Sequence, residues 1–175
     1  MSSNLDESIL RDKIILAANS PRNRFLVELF YVCGLGIKEV SELNVGDVFS
    51  KHQVLPKILV SNRLLFPSHS VIIAANEYYA SKIFIQPHHP LFEGRNGRIK
   101  PNVLSQLLGK IQRRAGIKGG TRHSRKFFGS SLYRNGTDPK LIQFLLGHRF
   151  LRSTNQLIDK KESLETRAKH MISIM

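Results

Sequence analysis

The sequence predicts an α+β domain, mostly α-helical with a small antiparallel sheet, and three observations predict it. Apolar residues recur at helical spacing in the segments beginning near residues 4, 21, 70, 102, 123 and 139. From Val45 to Ser70 the texture changes to short β-branched runs separated by turn residues: VGDVFSKH, QVLPKILV and RLLFPSHS. Hydrophobic residues make up 41% of the 175-residue chain, enough for one real core. Residues 1–175 read as a single domain with no internal repeat, low-complexity tract or linker.

The elements follow in order. Residues 4–18 open with Asn4 or Ser8 as caps and place Ile9, Ile14, Ile15 and Leu16 on a short amphipathic helix. Ser20-Pro21 restarts a helix with proline in its first turn, and Phe25, Leu26, Leu29, Phe30 and Val32 make it largely buried. Gly34-Leu35-Gly36 breaks it, and IKEVSEL adds one or two turns ending near Asn44. The β-like runs then form a small sheet with a hairpin at Ser61-Asn62. Ser68 or Ser70 caps SVIIAANEYYASKIF, and LFEGRNGRIK reads as a short strand and turn. Asn102 caps VLSQLLGKIQRRAG, with Leu104, Leu107, Leu108 and Ile111 inward and Lys110, Arg113 and Arg114 outward. A helix over 123–134 stops at Asn135-Gly136, Thr137 or Asp138 caps PKLIQFLL, and SLETRAKHMISIM forms a last helix.

Several function classes are excluded by composition. Apolar runs fall far short of the ~20 residues of a membrane span, and MSSNLDESILRDK has no signal-peptide pattern. The lone Cys33 lies in an apolar helical pattern and reads as a small buried hydrophobe, which fits a reducing cytoplasmic setting. His88 and His89 are adjacent, with no Cys or acid at ligand spacing, so neither a metal nor any other cofactor is expected. Charge is the strongest global signal: 27 Lys and Arg against 13 Asp and Glu, a net +14. Eleven of the basic residues and none of the acids lie between Arg95 and Thr137. A block of one sign inside a folded region points to a polyanionic partner, double-stranded DNA above all.

Four stretches in order resemble the catalytic domain of tyrosine recombinases, the phage integrase family. CGLGIKEVSELNVGDV resembles the family's Gly-Leu-Arg-Ile-Ser-Glu-Leu box, and ILVSNRLLFPSHS the β-hairpin ending in Val-Pro-Leu. HPLFEGRNGRIKPNVLSQLLGKIQRRAGI resembles the Leu-Phe strand and the DNA-facing helix after it. TRHSRKFFGSSLYRNGTDPKLIQFLLGH resembles the His-x-x-Arg box through to Leu-Gly-His. The resemblance spans roughly residues 20–160 and implies that family's fold.

In that family two arginines and a lysine bind the scissile phosphate, histidines assist, and a tyrosine attacks to give a 3′-phosphotyrosine. Guanidinium pairs neutralise the charge that gathers on phosphate oxygens, and the leaving oxygen needs a proton donor. Carried over position by position, Arg125 matches the second arginine and His148 the later histidine, while the box histidine falls at Arg122. The first arginine falls at Gly36 and the tyrosine at Leu157; the lysine falls near Leu59, with Lys57 or Arg63 able to substitute only on a shifted register. The tyrosines present are Tyr31, Tyr78, Tyr79 and Tyr133, the last on an apolar helix face.

Those gaps lead to the expectation of a non-catalytic DNA-binding protein, not an enzyme: an accessory or regulatory factor of a mobile element, plasmid or phage. The expected DNA contacts are Arg95, Arg98, Lys100, Lys110, Arg113, Arg114, Arg122, His123, Arg125, Lys126, His148, Arg149 and Arg152. Phosphates are met around Arg125, and some bases are read by the helix carrying Lys110. No separate N-terminal core-binding domain is expected, and an apolar stripe in 162–175 suits a homo-oligomer or partner groove. Two alternatives remain open at this level. One is a diverged strand-transferase or relaxase-like nickase using Ser153, Thr154 or Tyr133. The other is an interaction module that pairs with an active recombinase.

Overall fold

A computed structural model describes residues 2–82, 86–158 and 172, with side chains from residue 9 onward. The predicted C-terminal helix, apart from Ile172, lies outside the described residues.

The molecule is organised around α2 (Pro21–Tyr31), in which every residue from Phe25 to Tyr31 is buried. Its start is fixed locally: the Ser20 hydroxyl accepts the Asn23 N–H at 3.3 Å, and Pro21 occupies the first turn where no donor is needed. Around it pack α1 (Ser2–Ala17), α5 (His69–Ala80), α6 (Pro101–Arg114) and α7 (Thr121–Arg134). Phe25, Leu26, Leu29 and Phe30 are each at most 1% exposed. Burial of each such side chain contributes about 2 kcal/mol to stability. The one acid inside α2, Glu28, is answered by Arg11 at 3.2 Å and by the Ser70 hydroxyl at 2.9 Å.

The β segment differs from the single sheet expected. Val45–Val48 is a helical turn, α4, because the Asp47 carboxylate accepts the Asn44 N–H at 2.7 Å and caps it. Among the described residues the strands then form three separate antiparallel pairs. β1 (Phe49–Ser50) meets β2 (Gln53–Val54) through Lys51 and His52, both at positive φ as a tight primed turn requires. β3 (Ile58–Val60) meets β4 (Arg63–Leu65) across Ser61-Asn62, where the hairpin was predicted. β5 (Glu93–Gly94) meets β6 (Gly97–Arg98). Each strand has only two or three residues; β3 and β4 bury alternate side chains, while β5 and β6 are exposed.

α3 (Ile37–Glu42) follows the glycine break, and α8 (Pro139–Leu146) begins at Asp138, whose carboxylate accepts the Lys140 N–H at 2.7 Å. Gly147 ends α8 in the left-handed region at φ 65°, and α9 (Leu151–Leu157) follows. A satellite core of Tyr133, Ile142, Leu146 and Ile158 joins α7, α8 and α9. Tyr133 is therefore a packing residue, as its register predicted. Cys33 is buried in the main core, and desolvation pushes its thiol up to about 12. Among the described residues no helix is long and apolar enough to cross a membrane.

Candidate nucleic-acid interface

Three segments far apart in sequence converge on Glu39. It stands in the first turn of α3, where its carboxylate accepts the Gly36 N–H at 2.6 Å. Arg63, facing inward from β4, donates to the same carboxylate through Nε at 3.1 Å and Nη2 at 2.8 Å. Arg125 on α7 lies 3.8 Å from it. Arg125 is otherwise held by backbone: Nη1 donates to the Gly34 carbonyl at 3.1 Å and Nη2 to the Leu146 carbonyl at 2.7 Å. One guanidinium thus ties the end of the α2 segment to the end of α8. The fork geometry and five donors of arginine make this feasible, and a lysine could not do it.

Two glycines permit the approach. Gly34 has φ 63°, and a Cβ there would lie 2.4 Å from the Phe128 ring, so only glycine fits. Its carbonyl accepts from both Arg125 and Arg63. At Gly147 a Cβ would lie 3.4 Å from the Arg63 Cδ and Nε, so the turn that presents His148 packs directly on Arg63.

His148 is half-buried, with Nδ1 3.0 Å from the hydroxyl of the fully buried Thr154. Thr154 spends its hydroxyl orienting this ring. Desolvation lowers the His148 pKa, and Arg125 and Arg63 lower it further against the opposing pull of Glu39. Desolvation also lowers the pKa of His123, with help from Lys126. Both shifts favour the neutral ring.

A stability prediction follows from these two rings. The unfolded chain takes up protons on them near the ordinary histidine value of about 6.5. The folded chain takes them up only at lower pH, so in that window the unfolded state binds more protons and stability falls as pH falls. Urea midpoints should decline from pH 7 to pH 5, and the His123→Asn/His148→Asn double variant should flatten the decline. An unchanged slope in the double variant would refute it.

The structure distributes the remaining expected contacts unevenly. Arg122 and Lys126 are exposed and line a cleft of about 280 Å³ with Gln156, Leu157 and Ile158. Arg95 and Lys110 line a second cleft, of about 510 Å³, beside the start of α6. Lys100, Arg113, Arg149 and Arg152 are exposed, as is Arg114, which reaches Asn19 at 3.4 Å. Two of the expected residues also make contacts within the fold. Arg98 donates to the Ser41 and Leu43 carbonyls at 2.9 and 3.1 Å and also to Asn44, so its guanidinium staples β6 to the α3–α4 connection. His123 turns inward, its Nδ1 3.1 Å from the Tyr31 hydroxyl, which Gln112 also engages at 3.0 Å. Leu157, where the resemblance puts a tyrosine, packs part-buried on the satellite core.

Sequence reasoning passed over Glu39 and Lys140 and allowed Arg63 only on a shifted register. The signal for Glu39 was its place three residues after Gly36, the capping-box spacing. Arg63 could have been found from strand alternation, since Val60, Arg63 and Leu65 are all inward positions of the hairpin.

Comparison with known proteins agrees with this frame. Tyrosine recombinase XerC of Rickettsia bellii is 30% identical over 148 residues, covering 76% of this chain and 45% of the relative. XerC of Rhodospirillum centenum is 29% identical over 189 residues, covering 97% of this chain and 51% of its own. The chain thus spans about half the length of the curated relatives it matches. The crystal structure of XerA recombinase superposes with a TM-score of 0.76 at 21% identity, covering 99% of this chain and 64% of that one. XerH site-specific recombinase bound to its difH substrate before cleavage gives 0.70 at 18% identity, covering 88% of this chain and 48% of its own. These likenesses establish the fold.

The expectation that the chain is not an enzyme is overturned here. The relatives it matches over most of its length are named recombinases, which are enzymes, and a glycine at position 36 with a leucine at 157 does not by itself demonstrate lost activity. The phage integrase family model matches residues 7–163, and the chain belongs to that family as a tyrosine recombinase catalytic domain.

Proposed function

We propose that this domain grips duplex DNA by a backbone phosphate at Arg125 and His148 and acts in DNA recombination or its control in a mobile element, plasmid or phage. The observation that carries the reading is the cluster itself. Two guanidinium groups engage one carboxylate and a half-buried imidazole lines a cleft beside it, within a chain whose residues 95–137 hold eleven basic side chains and no acid. A neutral, oriented imidazole beside fixed guanidinium groups can exchange hydrogen bonds with phosphate oxygens, while the guanidinium groups balance their charge. Arg122 and Lys126 extend the positive surface along α7, where contacts position the duplex without reading sequence. XerH, a neighbour in fold, is seen bound to a DNA substrate, which supports the same partner here.

Duplex binding should weaken steeply with salt. Arg122→Ala/Lys126→Ala should lower the slope of log K against log salt by about 2, since each phosphate left without its cation removes about 0.9. A mobility assay against a random duplex pool reads this, and absence of any salt-dependent shift would sink the proposal. A nicked suicide duplex incubated with the full chain reads strand transfer directly, as a covalent protein–DNA adduct.

A further inference from the structure

We propose that Arg63 is a second phosphate-binding guanidinium, supplied from strand β4, and that with Lys140 and His148 it holds a phosphodiester oxyanion in the cleft beside the β3–β4 hairpin. This rests on the reading of Arg125 and His148 as a phosphate site and names a further anchor for it.

The first support is an unfinished set of hydrogen bonds. Arg63 is 3% exposed, and Glu39 and the Gly34 carbonyl account for Nε and Nη2. Its Nη1 is buried and has no hydrogen-bond partner among the described residues. A charged donor left in this condition is uncommon, because burial removes its water without replacing it. Arginine that grips one carboxylate along its Nε edge still offers its far nitrogen to a second acceptor.

The second support is the space and its charge. Arg63 lines a cleft of about 440 Å³ together with Glu39, Ser61, Asn62, Lys140 and His148. Among the described residues Glu39 is the sole acid lining it and is already paired, so Arg63 and Lys140 leave the cleft positive. The ligand class that follows is a small oxyanion.

The third support is the absence of a side chain at position 36. A Cβ on Gly36 would lie 3.3 Å from the Glu39 carboxylate and 3.6 Å from the Arg125 Nη1. A longer residue there would compete for the carboxylate that Arg63 grips. With glycine, Glu39 stays paired with Arg63, against which the Gly147 turn packs.

Inorganic phosphate titrated into the full wild-type chain tests the site. The Arg63 guanidinium signals, assigned by NMR through their own side-chain carbons, should shift saturably, and Lys140→Ala should weaken that response about fivefold. With a mixed-sequence duplex as the probe, Arg63→Lys should bind about tenfold more weakly with its salt slope nearly unchanged, because the cation is kept while the fork of donors is lost. Unmoved Arg63 signals would overturn the proposal. If Arg122→Ala still weakens duplex binding in that case, the function proposed above stands and Arg63 is a core ion pair. Phosphate that moves Arg63 in a chain binding no duplex would overturn the phosphodiester source together with that function. Should Arg63→Lys fail to fold, the wild-type titration decides alone.

Discussion

Arg125→Ala is expected to destabilise the domain by about 3 kcal/mol and to weaken duplex binding by about 10- to 100-fold, the larger effect on binding of any single change considered. The stability figure comes from two charge-assisted hydrogen bonds, each worth about 1.5–3 kcal/mol, partly offset because the Gly34 carbonyl keeps its bond from Arg63. Those carbonyls, on Gly34 and Leu146, belong to segments that nothing covalent joins closely, so Arg125 acts as a clasp between them. The binding figure corresponds to about 1.5–3 kcal/mol for one charge-assisted phosphate contact. Arg125→Lys separates the two roles. It keeps the charge and should recover part of the affinity, but one ammonium cannot span carbonyls that the guanidinium reaches from opposite nitrogens. Urea unfolding and a mobility assay at low salt measure both effects. An unchanged urea midpoint would refute the clasp, and unchanged affinity in a folded Arg125→Ala variant would refute the phosphate contact.

The fold was legible because its signals are local. Ser20-Pro21, Asp138-Pro139 and the apolar spacing of α2 and α6 each specify an element within a few residues. The hairpin at Ser61-Asn62 was legible for the same reason. Val45–Val48 was misread as strand because its valines carry β propensity, while the decisive event, the Asp47 carboxylate closing on the Asn44 N–H, is a cap. Within the candidate site, motif matching singles out only Arg125 and His148. Arg98 and His123 look like any other basic surface residue in sequence. Their contacts within the fold depend on the carbonyls of Ser41 and Leu43 and on the hydroxyl of Tyr31, all far away along the chain. Arg63 and Glu39 are 24 residues apart, and their pairing follows from packing that no spacing rule encodes.

Glu39→Ala should cost about 3–5 kcal/mol, the usual penalty for removing one partner of a buried ion pair. Of the roughly 5–15 kcal/mol that holds a typical domain together, that is a large share. Three effects coincide. Arg63 keeps its charge at 3% exposure with no counterion, Arg125 is deprived of the carboxylate 3.8 Å away, and the Gly36 N–H is left uncapped. Variants can separate these terms. Glu39→Gln keeps an oxygen for the Gly36 N–H and should recover about 1 kcal/mol, the worth of a cap, while leaving the charge imbalance. Arg63→Met removes the stranded cation, so Glu39→Ala/Arg63→Met should be destabilised by less than the sum of the single changes, with a coupling of about 1–3 kcal/mol. Urea midpoints of the four chains complete the cycle. Additive single changes would mean that the 2.8 Å contact between Arg63 and Glu39 contributes nothing to stability, and that the cluster is held by the backbone contacts of Arg125 alone.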